Sequence, residues 1–444
     1  MNPVTASAYK LLHDGALALG VAERRGIRID VGYCKQAIQD MLKQEQDLEK
    51  KIFSSKAGKY WKYTYGANTK LGSVDQLRVV LKDKYGISIS GSLDKLHLSS
   101  VKAGIVDDIL LLRKLSKARG TYLEGILKSC IDGYLHPDFN LHTAQTFRSS
   151  CSNPNFQNIP IRDPWVAELV RKAFIPRKGN RIVEGDYSGV EVRVAACYHQ
   201  DPTMIQYLET GYDMHSAMAA ECYMIPKDKV SKKARYASKN KFVFPAFYGS
   251  YYKQIGPDLW NAIDELSLEV DGVPMKKHLS NKLHKKGDAL FDAFVAHIQT
   301  VENSFWNQRF PVYTQWKKDW WDAYLKKGYF LTKTGFICRG KMKRNEAINY
   351  PVQGSAFHCL LWSFIEMTKA LKKNKMKSVL IGQIHDSALG DVPEEELEDY
   401  IALFREISTE RIRAAWDWII LPLDVEVEVT GLNESWYTKK GIAL

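Results

Sequence analysis

The sequence predicts an α+β protein whose sheet is assembled from segments that lie far apart in the chain. One strand pattern ends at Asp186, and a hairpin pattern carries His385 and Asp386 at its tip. Residues 423–429 alternate strictly between apolar and polar side chains, as a half-buried strand does. Helical spacing dominates residues 200–345, between the first strand and the other two. Strands separated in this way are typical of α+β proteins.

Helical spacing also dominates the first part of the chain. Asp30 is placed to cap a helix that runs to about residue 52, and Ser73 is placed to cap the next one. Helices continue to about residue 122, so the pattern predicts a long basic helical arm. Residues 53–72 are rich in Lys, Tyr, Gly and Ser, and we predict that they form a mobile basic connection.

Three aromatic residues recur at four-residue spacing in the second helical region, at Trp316, Trp320 and Tyr324. If exposed, such a stripe could stack on nucleic-acid bases. If buried, it is an ordinary apolar helix face. We prefer the second interpretation, because apolar stripes on helices usually pack into the core.

Size and charge narrow the class of protein. A length of 444 residues suggests about three domains. The 63 Lys and Arg residues exceed the 51 Asp and Glu residues, which gives a net charge of +12 and favours a polyanionic partner. A merely basic protein would have the same charge, so the charge alone leaves both possibilities open.

Cysteine usage and the N-terminus bear on the compartment. The seven cysteines include no CxxC pair, which argues against a zinc knuckle and against a disulfide framework, and favours a reducing compartment. The chain also lacks a signal-peptide pattern and an apolar run of membrane-spanning length. We therefore expect a cytoplasmic protein without a membrane partner.

Three segments carry the residues that suggest chemistry. DYSGVEVR from Asp186 and QIHDSALGDVP from Gln383 each place an Asp where a strand turns. In KARYASKNKFVFPAFYGS, Arg235 and Lys239 are four residues apart and face the same way from a helix. Two carboxylates for divalent metal and two cations for a triphosphate are what nucleotidyl transfer needs. Alone, each Asp could be a turn residue, and the cations could form a solvated face.

Together these segments resemble motifs A, B and C of the family A (polymerase I-like) DNA polymerases, and the resemblance extends from about Leu17 to the C-terminus. It implies a right-hand polymerase fold with an antiparallel sheet in the palm. The implied domains are an N-terminal segment joining the palm (1–29), the thumb (30–135), the first part of the palm with motif A (136–200), the fingers with motif B (201–345) and the second part of the palm with motif C (346–444).

The resemblance assigns the metal site. It implies that Asp186 and Asp386 are the catalytic pair, which holds two Mg²⁺ ions with help from the backbone carbonyl of Tyr187. Ser387 stands where the family usually has Glu, so a third carboxylate is absent from motif C.

The resemblance also assigns the site of the incoming dNTP. Glu191 would fill the space of a ribose 2′-hydroxyl and so exclude ribonucleotides. Arg235, Lys239 and His215, the last in YDMHSA, would reach the triphosphate. Gly189 stands where Gln is usual, so one contact with the nucleotide is expected to be missing.

Motif B departs from the family in length. Lys239 and Tyr248, which begins the closing Tyr-Gly pair, are nine positions apart, one more than usual, and Pro245 lies between them. We expect a bulge or a kink without loss of function. The extra residue leaves open which side chain stacks on the incoming base: Phe242, Val243 or Phe244. We choose Phe244 because it keeps the usual distance to Tyr248. This variant of motif B resembles that of phage-type members of the family. We therefore expect the protein in the cytoplasm of a bacterial or phage-infected host cell.

Contacts with primer-template DNA are implied by TAQTFRSSCSNPNFQNIPIR, INYPVQGSA and motif C. Side chains there would donate into the minor groove, whose acceptors occur on all four base pairs. These residues are Arg148, Asn155, Gln157, Asn158, Arg162, Asn349, Gln353 and His385. Lys117 and Arg119, in RKLSKARGTYL, are expected to contact phosphates. Phe147 replaces a Gly of the family, which is expected to alter the backbone there.

The resemblance implies a template-directed DNA polymerase, a nucleotidyltransferase that extends a primer 3′-hydroxyl in DNA replication or repair. One rival is a single-subunit RNA polymerase, against which Glu191 argues. Another is a DNA-binding scaffold without catalysis, against which Asp186 and Asp386 argue.

Proofreading is expected to reside elsewhere. Only about twenty residues precede the polymerase-like segment, too few for an exonuclease domain. Partners would then include a separately encoded exonuclease or a replisome subunit. The Asp-x-Glu pair at Asp424 and Glu426 is interpreted as the outward face of a strand rather than as a nuclease site.

Overall fold

The computed structural model describes residues 2–89, 98, 101, 103–161 and 163–442, so the predicted contact of Arg162 lies outside the described residues. Helices and antiparallel strands both occur, which confirms the α+β prediction. None of the described helices has a stretch long and apolar enough to cross a bilayer.

The α-helices of the described residues are α1 (Ala6–Arg25), α2 (Val31–Ser54), α3 (Lys56–Tyr65), α4 (Val74–Tyr85), α5 (Gly104–Lys117), α6 (Glu124–Ser129), α7 (Pro164–Arg171), α8 (Val190–His199), α9 (Pro202–Thr210), α10 (Met214–Tyr223), α11 (Lys232–Ser238), α12 (Phe244–Phe247), α13 (Tyr252–Glu265), α14 (Met275–Leu283), α15 (Asp288–Ser304), α16 (Pro311–Lys327), α17 (Arg344–Lys373), α18 (Leu397–Arg405) and α19 (Ile412–Ala415). Turns of π-helix join α5 to α6, α11 to α12, and α18 to α19, and a further one follows the end of α15.

The strands are β1 (Asn2–Pro3), β2 (Ile27–Arg28), β3 (Cys130–Ile131), β4 (Tyr134–Leu135), β5 (Asp138–Asn140), β6 (Ser150–Ser152), β7 (Asn180–Tyr187), β8 (Glu269–Val270), β9 (Val273–Pro274), β10 (Tyr329–Leu331), β11 (Phe336–Arg339), β12 (Val379–Ile384), β13 (Ser387–Pro393), β14 (Val425–Val429) and β15 (Lys440–Gly441).

The central sheet has the order β12-β13-β7-β14-β15, and neighbouring strands are antiparallel throughout. The predicted hairpin is β12–β13, and the predicted alternating strand is β14. In β14, Val425, Val427 and Val429 are buried, whereas Glu426 is exposed. The apolar side chains of this strand therefore face the core, as the alternation predicts.

The basic arm begins as the sequence predicts. The Asp30 carboxylate caps α2 by accepting from the amide of Tyr33 at 2.8 Å, and the Ser73 hydroxyl caps α4. The prediction of a mobile connection at residues 53–72 is wrong, because half of this segment forms helix α3. Trp61 is completely buried there, and its Nε1 donates to Gln76 at 2.8 Å. Ala57 and Leu71 are buried as well, so the segment packs into the core despite its polar composition.

The aromatic stripe of α16 packs inside the molecule. Tyr324 is buried, the rings of Trp316 and Trp320 lie 5.3 Å apart, and Trp320 Nε1 donates to the carbonyl of Ala347 at 2.9 Å. This arrangement confirms the core interpretation, because each ring is engaged by protein.

Candidate functional site

The two predicted metal-binding aspartates lie side by side at one end of the central sheet. Asp186 is the penultimate residue of β7, and Asp386 lies in the two-residue turn between β12 and β13. Since β13 pairs with β7, Ser387 is directly opposite Asp186, and the amide of Tyr187 donates to the carbonyl of Asp386 at 3.2 Å. Strand pairing therefore joins residues that are two hundred positions apart in the chain.

The protein around these carboxylates disfavours their charged forms. Asp186 is exposed to solvent, yet the surrounding protein partly desolvates its carboxylate and raises its pKa to about 7, and the charges of Asp386 and Glu184 add to this. Burial also raises the pKa of Asp386, against the opposing effects of Arg148 and His385. Oδ1 of Asp386 is buried without a hydrogen-bond partner among the described residues. A cation placed between the two carboxylates would offset both the desolvation of their charged forms and their mutual repulsion.

The donor set fits Mg²⁺. Carboxylate and carbonyl oxygens are its usual protein ligands, and substrate phosphates and water normally complete its octahedral shell. Within the described part of the chain, no group of three or more acidic, His or Cys side chains is arranged to hold a metal. The residues that could contribute ligands are Asp186 and Asp386 through their carboxylates and Tyr187 through its carbonyl.

Glu191 is held between two partners in the first turn of α8. Its Oε1 accepts from the guanidinium of Arg148, and its Oε2 accepts from the hydroxyl of Tyr248. Gly189 precedes this turn with φ of 61°, a left-handed conformation that a Gly adopts without strain. The carboxylate of Glu191 thereby becomes a fixed part of the cavity wall.

The extra residue of motif B is absorbed by a π-helical turn at Lys239–Val243, which is the bulge that the sequence predicts. This turn directs Phe242 and Val243 into the core, where both are completely buried. Phe244 lines the cavity instead. Of the three residues left open by the sequence, Phe244 is the one that an incoming base could reach.

Basic side chains gather behind Phe244. The Nζ of Lys239 lies 5.4 Å from the Phe244 ring, and the ring of His215 lies 5.8 Å from it. Burial, aided by the charges of Arg235 and Lys239, lowers the pKa of His215 to about 4. The Nε of Arg235 is paired with Asp213 at 2.9 Å. The three residues predicted to bind the triphosphate are thus neighbours, and His215 is neutral near pH 7.

These elements enclose a cavity of about 400 Å³, which we call the active-site cavity. Most of the residues predicted to contact nucleotide, metal or the primer end line it. They are Arg148, Tyr187, Glu191, Phe244, Tyr248, Asn349, Gln353, His385 and Asp386. The side-chain amide of Asn349 also donates to the carbonyl of Tyr248 at 3.2 Å, so the end of α12 is tied to α17.

A second concavity, of about 730 Å³, lies between α5 and residues 157–161 and 163–166, and we call it the arm groove. Among the residues that line it are four of the predicted DNA contacts: Lys117, Gln157, Asn158 and His385. His385 borders both concavities and therefore joins the groove to the active-site cavity.

Two predicted DNA contacts line neither concavity. Arg119 is held inside the helical arm, where its Nε and Nη2 donate to Glu45 at 2.9 and 3.0 Å and its Nη1 donates to Glu124. A phosphate contact of Arg119, which stays a prediction, would compete with these ion pairs. Asn155 is exposed at the start of a short 3₁₀ turn, and its role also stays a prediction.

Sequence reasoning missed a hydrogen-bonded cluster under His385. The side-chain amide of Gln157 donates to Ser149 and to Gln383, both at 2.8 Å, and the amide of Gln383 donates to the carbonyl of His385 at 2.5 Å. This cluster holds the turn that carries Asp386. The signal was a Gln within the apolar strand pattern of VLIGQI.

Glu184, Trp436 and Lys439 were also missed. Glu184 is buried in β7, where its Oε2 accepts from Trp436 Nε1 at 2.7 Å and from Lys439 Nζ at 2.5 Å. A Glu directly after the apolar pair Ile-Val in the strand pattern RIVEG was the available signal, because a buried acid requires a partner.

Comparison with known proteins gives a consistent result. The model of DNA polymerase family A matches residues 33–267 and 277–438. DNA polymerase I of Bacillus subtilis (strain 168) is 28% identical over 449 residues, which cover 96% of this chain and 45% of that protein. The thermostable DNA polymerase I of Thermus aquaticus is 27% identical over 441 residues, with coverages of 94% and 46%. The chain spans about half the length of these curated relatives.

The fold also matches a solved structure, the POL domain of Pol1 from M. smegmatis in complex with DNA primer-template and dNTP. The TM-score is 0.73 at 24% identity, and the match covers 96% of this chain and 70% of that one. This similarity confirms the predicted right-hand polymerase fold.

Proposed function

Because this chain belongs to DNA polymerase family A, we propose that it extends the 3′-hydroxyl of a primer along a DNA template with dNTPs. One observation carries the proposal: strand pairing sets Asp186 beside Asp386, and Asp386 and Phe244 line the same cavity. Lys239 and His215 lie against the ring of Phe244, and the charge of Arg235 acts on His215.

Asp186, Asp386 and the carbonyl of Tyr187 would hold the two Mg²⁺ ions. Bound Mg²⁺ would supply activation of the primer hydroxyl and neutralisation of the leaving pyrophosphate. The raised pKa of Asp186 and the unpartnered Oδ1 of Asp386 support this assignment, since both indicate a site that gains free energy from a cation.

The fingers residues would bind and orient the nucleotide. Phe244 presents its ring to the base, while Arg235 and Lys239 bind the triphosphate oxygens. Arg235 is paired with Asp213 and would exchange this carboxylate for a phosphate. His215, kept neutral by burial, would offer a hydrogen bond without adding a third charge.

Glu191 would select deoxyribose. Both of its oxygens are engaged, by Arg148 and by Tyr248, so the carboxylate cannot swing aside without breaking two hydrogen bonds. A ribose 2′-hydroxyl would lie against the fixed carboxylate of Glu191, whose two oxygens already accept hydrogen bonds. This arrangement favours a DNA polymerase over a single-subunit RNA polymerase.

The arm groove would receive the duplex. Its Lys117 is exposed and suits a phosphate, and its Asn158 suits the minor groove. Gln157 would have to exchange a hydrogen bond to Ser149 or Gln383 for one to the minor groove. In this proposal residues 30–135 act as the thumb, residues 201–345 as the fingers, and residues 136–200 and 346–444, joined by residues 1–29, as the palm. The primer-template and dNTP named for the M. smegmatis structure support the same partners here.

We place this activity in DNA replication or repair. Replication or repair in the cytoplasm of a bacterial or phage-infected cell is consistent with seven unpaired cysteines. A separate exonuclease or another replisome subunit is the expected protein partner.

The decisive experiment is primer extension with Asp186→Asn and Asp386→Asn. Each should lower the extension rate by more than about 100-fold, because removal of one preorganised electrostatic group commonly costs that much. Binding of primer-template should change little. Asp399→Asn, at an exposed Asp of α18, is the matched control and should extend primers at the wild-type rate. Near-normal extension by either site variant would instead favour a DNA-binding scaffold without catalysis.

A further inference from the structure

Glu184 is a buried carboxylate that the proposed reaction leaves without a role. It lies two residues before Asp186 on β7, so both side chains are on the same face of the sheet. Only 9% of Glu184 is exposed. Its Oε2 accepts from Trp436 at 2.7 Å and from Lys439 at 2.5 Å, and its Oε1 lies 3.2 Å from the hydroxyl of Ser387.

Ser387 links this carboxylate to both aspartates. It follows Asp386 in the chain and is directly opposite Asp186 in the strand register. Its hydroxyl lies 2.9 Å from the carbonyl of Ile384 and 3.2 Å from Glu184, so its single proton is shared between these two acceptors. The contact therefore connects β7 to the hairpin turn at the place where both aspartates leave the sheet.

Lys439 balances the charge of this arrangement. Glu184 and Glu428 are directly opposite each other on β7 and β14, and the Nζ of Lys439 lies 2.5 Å from an oxygen of each. Without this cation, two adjacent carboxylates, one of them buried, would repel each other and lose their hydration. Trp436 is also fixed, because the guanidinium of Arg171 lies 4.1 Å from its ring centre. The C-terminal segment thus holds Glu184 in one position.

We propose that Glu184 is a positioning residue for the Asp186–Asp386 pair, and that it supplies from β7 the carboxylate that is missing at Ser387. It fixes Ser387 and hence the turn that presents Asp386, and it adds negative charge beneath the cation site. This inference rests on the proposed function, in which the two aspartates bind divalent metal.

The test measures metal affinity directly, by titrating the protein with Mn²⁺ in the absence of DNA and nucleotide and following free Mn²⁺ by electron paramagnetic resonance. Glu184→Gln keeps an acceptor for Trp436 and Lys439 but removes the charge. We expect its Mn²⁺ affinity to fall about tenfold. Glu428→Gln is the matched control, since it removes the other carboxylate bound to Lys439 but has no contact with Ser387. Its affinity should stay within about twofold of wild type.

A transposed variant provides the rescue. In Glu184→Ser combined with Ser387→Glu, the carboxylate of the new Glu can enter the space that Glu184 vacates, close to Lys439 and Trp436. We expect this double variant to recover Mn²⁺ affinity to within about threefold of wild type, whereas Ser387→Glu alone, with two crowded acids, should not. Thermal melting of every variant verifies that the protein is folded.

These measurements distinguish the positioning role of Glu184 from the metal site formed by Asp186 and Asp386. If Asp186→Asn and Asp386→Asn abolish Mn²⁺ binding while folded Glu184→Gln binds as wild type does, the role of Glu184 is refuted and the metal site stands. Equal losses in Glu184→Gln and Glu428→Gln would also refute it, because remote charge would then explain the effect. Unchanged Mn²⁺ binding in the two aspartate variants would overturn the proposed metal site itself.

Discussion

The hydroxyl of Tyr248 donates to the carboxylate of Glu191 across the active-site cavity, from the end of α12 to the first turn of α8. The other oxygen of Glu191 accepts from Arg148. One carboxylate thus connects the helix that carries Phe244 to the segment that carries the predicted minor-groove contact. Its position is determined by two residues that lie 57 positions after it and 43 positions before it.

The first prediction concerns this carboxylate. Glu191→Ala opens space where a 2′-hydroxyl would lie, so we expect the ratio of kcat/KM for a dNTP over the matching rNTP to fall by about 10- to 100-fold. Tyr248→Phe keeps the ring and removes one hydrogen bond, and it should lower the ratio less. An unchanged ratio in Glu191→Ala would mean that another residue excludes ribose.

The second prediction separates two neighbouring cations of the arm. Lys117→Ala should weaken duplex binding and reduce the salt dependence of log Kd by about one unit, because Lys117 is exposed in the arm groove. Arg119→Ala should lower the melting temperature without changing the salt slope, since Arg119 is held by Glu45 and Glu124. Fluorescence anisotropy at several salt concentrations measures both. A reduced salt slope in Arg119→Ala would restore its predicted phosphate contact.

The third prediction concerns the triphosphate. Arg235→Ala and Lys239→Ala should each raise KM for dNTP by about tenfold or more, because each removes a charge-assisted contact with phosphate. The Kd for primer-template should stay within about twofold. Lys233→Ala, at an exposed residue of the same helix, is the matched control and should behave as wild type. If all three variants lost nucleotide affinity equally, the basic helix would act only through its overall charge.

The fourth prediction concerns proofreading. Asp424 and Glu426 are exposed, and Glu426 accepts a hydrogen bond from Ser188 at 3.2 Å, so we interpret them as surface groups of the strand segment rather than as a hydrolytic pair. The purified chain, given a mismatched primer and Mg²⁺ without dNTP, should leave the primer at full length. Shortening that disappears in Asp424→Ala would contradict this interpretation.

The fifth prediction concerns acid stability. Burial lowers the pKa of His358 from 6.5 to about 3 in the folded protein. Between pH 6.5 and pH 3, His358 is protonated in the unfolded chain but neutral in the folded chain. The free energy of unfolding therefore falls as the pH drops below 6.5, by up to about 1.4 kcal/mol per pH unit. Urea titrations of wild type and His358→Gln at pH 7, 6 and 5 measure this effect. The variant should lose less stability over this range, and parallel losses would show that His358 does not titrate as expected.

Much of the local structure of the candidate site could be predicted from the sequence, because its central signals are local. Asp186 follows a strand pattern, Asp386 occupies a two-residue turn, and the nine-position spacing of motif B predicts the bulge that appears as a π-helical turn. Each signal lies within about twenty residues of chain, which is the range over which periodicity and turn chemistry act.

The tertiary structure decided what depends on side-chain partners far apart in the chain. The sequence shows Arg119 as a free cation, whereas Glu45, 74 positions away, neutralises it. It shows residues 53–72 as polar, whereas Trp61 is completely buried and half of the segment forms helix α3. It gives no sign that Lys439 reaches Glu184, 255 positions before it. By itself, the sequence predicted the fold class, the strand and turn positions of the two aspartates, and the bulge. Only the packed structure decided which charges are neutralised and which remain for a ligand, because the free energy of a buried charge is set by its neighbours in space.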